Sequence, residues 1–237
     1  MLSEAAKKLV IADKRLKVLA QGSPDTLVVH EIYASVQGES THAGLPCAFV
    51  RTSACNLRCR YCDTPHAFVE GGAMTLDAVM QRIDELGIKL VELTGGEPLL
   101  QAASFTLMKR LCDAGYTVLL ETSGSVDIRD VDPRVHRIVD FKTPYSGEEE
   151  HNLYDLIDAL RPHDEVKLVL ADRNDYEWAR ALIRDNGIDQ QCPVLVGCVF
   201  GKLDPKDLVA WILEDKLPVR MQIQMHKVIW DPAKRGV

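Results

Sequence analysis

Three cysteines, Cys55, Cys59 and Cys62, crowd into the run CNLRCRYC. Thiolates offset the charge of ferric and ferrous iron, and this spacing folds one loop around a single cubane. Three such ligands hold three irons of a 4Fe-4S cluster and leave the fourth open to a non-protein group. From the residues alone, a zinc site with Asp63 or His66 as fourth ligand is the alternative. Structural zinc usually takes four protein ligands and often paired CxxC elements, and no second pair exists here. The other cysteines, Cys47, Cys112, Cys192 and Cys198, sit in apolar patterns and read as packing. The odd count and the clustering fit metal ligation in a reducing compartment better than a disulfide framework.

Further polar groups stand where strand patterns end: Thr94 to Glu97 in TGGEP, Glu121 and Ser123 in ETSG, and Lys142 in DFKTP. The elements that position them alternate. Residues 47–53, 89–95, 117–124, 136–142, 165–171 and 193–200 read as strands. Residues 75–87, opened by Thr75 and ended by Gly87, read as a helix, as do 103–115, 152–161, 175–187 and 204–215. The alternating run 220–229 reads as a last strand, which places Gln224 and His226 on one face. Short apolar runs spaced by helices imply a parallel sheet covered by helices, with the active groups at the strand ends. Pattern alone leaves a partial barrel and an open, doubly wound sheet as alternatives. Residues 1–26 read as an N-terminal extension, helical in pattern, ahead of a catalytic domain over 27–237.

A 26.4 kDa chain with 46% hydrophobic and 27% charged residues suffices for one sizeable core. A formal charge of -7 disfavours a nucleic-acid-binding surface. No apolar run reaches membrane-spanning length, and the first twenty residues are too charged for a signal peptide, so a cytoplasmic setting is expected.

CNLRCRYC, with Tyr61 just before its last cysteine, resembles the CxxxCxxC signature of the radical S-adenosylmethionine (SAM) superfamily. That resemblance implies a partial (β/α)6-type TIM barrel, a 4Fe-4S cluster and S-adenosyl-L-methionine bound at the open iron. One electron from the reduced cluster then yields a 5'-deoxyadenosyl radical. It further implies that Tyr61 lies near the adenine, and that Gly95, Gly96 and Glu97 receive the methionine ammonium. Glu121 and Ser123 would meet the ribose and methionine carboxylate, with Lys142 at another strand end of the cofactor site.

The cluster loop alone is shared with other superfamily members, such as glycyl-radical activating enzymes. A metal-stabilised binding module is the non-enzymatic alternative. SVQGES (35–40), CDT (62–64), FVRTSACNLRC, TGGEPLL and MQIQMHK together resemble the 7-carboxy-7-deazaguanine synthase family. Membership implies conversion of 6-carboxy-5,6,7,8-tetrahydropterin to 7-carboxy-7-deazaguanine with loss of ammonia, in the biosynthesis of queuosine-type 7-deazapurines. It implies a substrate site of Gln37, Gly38, Glu39, Arg51, Thr94, Gln224 and His226, and a Mg2+ contacted by Thr64. A homodimer and an external flavodoxin or ferredoxin electron donor are also implied. Gln37 and Glu39 suit an amino-pyrimidinone edge, and Arg51 suits a carboxylate.

Overall fold

Period-two alternation builds two different faces into one sheet. The computed structural model describes residues 14–237. Its nine strands run in the order β3-β1-β2-β4-β5-β6-β7-β8-β9. Strands β2 (Pro46–Thr52), β4 (Leu90–Gly95), β5 (Thr117–Thr122), β6 (His136–Asp140), β7 (Glu165–Leu170), β8 (Val194–Cys198) and β9 (Arg220–Gln222) are parallel. At one edge, β1 (Thr26–Val36) pairs antiparallel with both β2 and β3 (Gly72–Thr75). This antiparallel edge departs from the all-parallel expectation. The chain reaches β2 from β1 through a short turn that reverses its direction, without a crossover helix.

One face is wholly apolar. Val91, Leu93, Val118, Leu120, Val139, Val166 and Leu168 pack there under helices α1 (Leu76–Leu86), α2 (Ala102–Asp113), α3 (Arg173–Asn186) and α4 (Pro205–Asp215). Each helix turns an apolar stripe to the sheet, such as Val79 and Ile83 on α1 and Leu107, Met108 and Leu111 on α2. Thr75 caps α1 by accepting from the Ala78 amide at 3.2 Å, and Gly87 ends it at φ +68°. Capping carboxylates of Asp172 and Asp204 open α3 and α4.

The opposite face curls inward. Its lower tier is apolar, with Cys47, Phe49, Leu90, Leu119 and Ile138 in one cluster. Two residues further along the same strands the inward positions become Arg51, Glu92, Glu121 and Asp140. The segment after β1 crosses this mouth. The Thr41 amide donates to Glu165 of β7 at 3.1 Å, the Ser40 amide to Gln222 of β9 at 2.9 Å, and the Met225 amide to the Gly38 carbonyl at 3.2 Å. A loop, in place of strand pairing, thus spans the gap between the sheet's two sides, as befits a partial barrel. Helices on one face only set this apart from a doubly wound sheet.

Two sequence expectations change. The run 220–229 is not one strand: β9 stops at Gln222, and Met225–Ile229 forms a short helix, α5, where the loop at Gly38 takes the Met225 amide. Residues 152–161 form only a 3-10 segment, Tyr154–Ala159, because the Asn152 amide is committed to both backbone groups of Lys142, each at 2.9 Å. Of the expected N-terminal extension, residues 1–13 lie outside the described residues. Lys14–Gln21 is a 3-10 helix whose Leu16, Val18 and Leu19 cover Val28 and Ala54. No helix among the described residues is long and apolar enough to cross a membrane.

Below β6, Arg137 and Asp164 form a fully buried ion pair. Arg137 also donates to the carbonyls of Ile128 at 3.0 Å and Ala159 at 2.7 Å, so its fork is satisfied. Removing one partner strands a buried charge. Arg137→Leu is expected to lower unfolding stability by about 3–5 kcal/mol, checked by anaerobic urea denaturation of the cluster-loaded protein.

Candidate active site

The cysteine loop hangs between the end of β2 and a 3-10 turn at Pro65–Phe68. Its entry is tight. Ala54 takes φ +73°, a conformation rarely adopted by residues with a Cβ. Bonds on both sides hold it: its amide donates to the Ala67 carbonyl at 2.9 Å, and its carbonyl accepts from the Glu97 amide at 2.8 Å. The end of β4 must come this close for a reason visible at Gly96. A Cβ there would lie 1.8 Å from the Ala54 carbonyl oxygen, and one at Gly95 would lie 2.4 Å from the Thr52 backbone. Only glycine allows the two strand ends to abut. The loop is closed further by Arg58, which donates to the carbonyls of Cys55 at 2.7 Å and Leu57 at 2.6 Å and stacks on Phe68.

Cys55, Cys59 and Cys62 are free thiols lining a cavity of about 150 Å³. Burial pushes the Cys55 thiol up to about 12 and Cys59 up to about 11. Left alone they stay protonated at neutral pH, and a bound cation cluster is what converts such a donor set to thiolates. The residues fit that group: three soft donors lining one cavity, and backbone pared to glycine beside it. Of the two candidate fourth ligands of the zinc alternative, His66 lies outside this cavity lining and Asp63 is within it but already paired. His66 lies against His30 with the rings tilted by 49° and their centroids 4.8 Å apart, and groups with Glu31, while Asp63 is paired to Lys227 at 2.8 Å. Burial opposes the Asp63 charge, but Lys227, with Lys167 and Arg51 behind it, holds the carboxyl at about 2.

The same cavity is lined by Tyr61, Gly95, Gly96, Glu121, Ser123 and Lys142. Lys142 pairs with Asp140 at 2.7 Å. Burial works against its charge, yet Asp140 with Tyr61 and Cys59 raises it well above the ordinary lysine value. Glu97 is the residue that the resemblance assigns to the methionine ammonium. It is fully buried and lies outside the cavity lining, and its carboxylate accepts from the Leu99 amide, the Thr122 hydroxyl and both the amide and hydroxyl of Ser123, at 2.6–3.0 Å. Glu97 is a strut tying the ends of β4 and β5, and Ser123 shares that duty.

A second cavity, of about 350 Å³, continues from the first through shared walls at Arg51, Thr64, Thr94, Glu121 and Lys167. All the residues expected from sequence to meet a substrate line it: Gln37, Gly38, Glu39, Arg51, Thr94, Gln224 and His226. Arg51 is fixed on one side by Glu31 and the Tyr33 hydroxyl, both at 2.8 Å. Gln224 and His226 arrive from the start of α5, not from a strand face, and His226 abuts Gly38. Burial lowers the His226 imidazole below its usual value, so it stands neutral at pH 7. The Thr64 hydroxyl has Cys62 Sγ at 3.8 Å as its sole neighbour among the described side-chain contacts.

The radical SAM superfamily profile matches residues 49–140. The 7-carboxy-7-deazaguanine synthase of Chlorobaculum tepidum is 50% identical over 214 residues, covering 89% of this chain and 97% of the relative. That of Koribacter versatilis is 44% identical over 224 residues, covering 88% and 99%. The chain belongs to the 7-carboxy-7-deazaguanine synthase family. The crystal structure of QueE from Escherichia coli shares the fold, with a TM-score of 0.70 at 21% identity, over 90% of this chain and 99% of that one. As a radical SAM enzyme of this family, the protein uses SAM and a 4Fe-4S cluster.

The sequence reading missed Lys167, whose ammonium bridges Glu39 at 2.5 Å and Glu121 at 2.6 Å across the barrel. It also missed Glu92, which accepts from the Gln37 amide at 2.6 Å. A signal was present: each is a charge at an alternate position inside an otherwise apolar strand, KLVELTG and EVKLVLA. Because Gly96 sets the approach of β4 to the cysteine loop, Gly96→Ala is expected to lose most cluster iron while keeping its secondary structure. Iron and sulfide analysis beside circular dichroism checks this.

Proposed function

We propose that the protein converts 6-carboxy-5,6,7,8-tetrahydropterin to 7-carboxy-7-deazaguanine with loss of ammonia, within 7-deazapurine biosynthesis. The observation that carries the proposal is the continuity of two cavities with different chemistry. One is lined by three cysteines. The other is lined by Arg51, Glu39, Glu121, Lys167 and a neutral His226, and the two share walls. A small, polar, carboxylate-bearing ring system matches the second cavity in donors, acceptors and charge.

Cys55, Cys59 and Cys62 would hold the cluster, with Tyr61, Gly95, Gly96, Glu121, Ser123 and Lys142 around SAM. When bound, the cluster and SAM supply a carbon radical that removes one substrate hydrogen and later returns it. The protein's own part is to position and to exclude. Arg51, already clamped by Glu31 and Tyr33, presents its remaining edge to the substrate carboxylate. Glu39 and Glu121, both held by the one ammonium of Lys167, accept from ring N–H groups. Thr94, whose hydroxyl donates to Glu121 at 3.1 Å, fixes the wall between the cavities. Thr64 would offer its hydroxyl to a Mg2+, a hard-oxygen donor of the kind that ion prefers. An external flavodoxin or ferredoxin delivers the electron, and the enzyme works as a cytoplasmic homodimer. Residues 27–237 form the catalytic domain, with 1–26 an extension to it.

The test is an anaerobic incubation of cluster-loaded protein with SAM, reductant, Mg2+ and the carboxytetrahydropterin. Release of the deazapurine and of ammonia is expected. Loss of pterin without either product, at full cluster occupancy, contradicts the proposal. Arg51→Ala is expected to raise KM by about 10- to 100-fold with cluster iron unchanged, measured by initial rates and iron analysis. Thr64→Ala is expected to blunt the stimulation of turnover by Mg2+, read from a magnesium titration.

A further inference from the structure

Glu92 sits mid-strand in β4, only 2% exposed, with its side chain in the wall of the larger cavity. Glu39 and Glu121 line the same cavity, beside the ammonium of Lys167. Lys167 spends its contacts on Glu39 and Glu121. Among the described residues no cation pairs with Glu92. Its one protein partner among the described side-chain contacts is the Gln37 amide nitrogen, which donates to Oε2 at 2.6 Å. The Gln37 amide oxygen in turn accepts from the Glu39 amide at 2.6 Å, so Glu92 fixes which way Gln37 faces.

We propose that Glu92 is held as a neutral carboxylic acid and serves as a positioning and specificity residue, its O–H turned to the substrate cavity while its other oxygen locks Gln37. This assignment rests on the pterin reading of the same cavity. The physical reason is electrostatic. A second unpaired carboxylate beside Glu121, out of water, lacks the compensation that Lys167 gives the other two. Burial first, then the Glu121 charge, push the Glu92 carboxyl up to about 8, with Glu39 adding and Gln37 and Lys167 opposing. Burial raises Glu39 as well, but its contact with Lys167 makes it the weaker holder of a proton. On the neighbouring strands Arg51 and Glu31 line the same cavity, paired with each other and with the Tyr33 hydroxyl. Cys47 of β2 and Tyr33 of β1 are both pushed up by burial.

A neutral acid offers one donor and one acceptor side by side, where a carboxylate offers acceptors only. It therefore matches a lactam edge, N–H beside C=O, which the pyrimidinone half of a pterin carries. The ionised carboxylates of the site match N–H groups alone. One ring held by both kinds of carboxyl is held in one orientation.

Two readouts test this on the cluster-loaded enzyme. Difference infrared spectra without substrate are expected to show a protonated-carboxyl C=O band at pH 7. That band should fade above about pH 8 and be absent in Glu92→Gln. Equilibrium binding of 6-carboxy-5,6,7,8-tetrahydropterin to wild type is expected to weaken over the same pH range. Glu92→Gln, the neutral isostere, should rescue binding at pH 7 and remove that pH dependence, whereas Glu92→Ala should weaken binding about tenfold. The absence of a band that Glu92→Gln removes overturns the neutral state. Loss of binding in Glu92→Gln equal to that in Glu92→Ala overturns the positioning role. The infrared arm needs no substrate, so its failure is distinct from failure of the pterin assignment.

Discussion

Two strand ends touching backbone to backbone organise this protein. Gly95 and Gly96 bring the end of β4 against Thr52 and Ala54 at the end of β2. The Gly96 amide then reaches the Thr52 carbonyl at 3.1 Å, and the Glu97 amide reaches that of Ala54 at 2.8 Å. Everything chemical hangs from that contact. It fixes the first residue of the cysteine loop, and it sends Glu97 inward to clamp Thr122 and Ser123 at the end of β5. It also leaves Thr94 and Arg51 facing the same space. A side chain at either glycine separates the cysteines from the rest of the site.

The barrel interior is graded. Its lower tier, Phe49, Leu90, Leu119 and Ile138, is a dry plug, and the tier above is almost entirely ionisable. Such a tier is costly to bury unless its charges are arranged in advance. Lys167 does most of this, joining β7 to β5 and to the loop after β1. That arrangement preorganises the cavity for a polar ring at the expense of fold stability, which the apolar outer face under four helices supplies.

Local features were legible in the sequence and long-range ones were not. The cysteine run, TGGEP and the Thr75-to-Gly87 helix each depend on residues close in the chain, and each stands where its pattern placed it. The residues that the resemblance assigns to a substrate line one cavity. What escaped depends on register and on partners far away. Lys167 meets Glu39 across 128 positions, and Glu92 meets Gln37 across 55. The hydrogen bonds that fix Glu97 come mostly from the end of another strand, at Thr122 and Ser123, which its local TGGEP pattern does not reveal. The last helix, α5, was hidden by an alternating pattern that the loop at Gly38 interrupts. The antiparallel edge at β1 and β3 carries no period of its own to distinguish it from a parallel strand.

The proposed chemistry depends on Cys55, Cys59 and Cys62 holding a cluster with one corner left for the sulfonium cofactor. Low-temperature electron paramagnetic resonance of the reduced, oxygen-free protein, recorded before and after adding S-adenosylmethionine, addresses this directly. A cluster signal that changes shape when the cofactor is added is the predicted result. An unchanged signal at full iron and sulfide occupancy contradicts the claim.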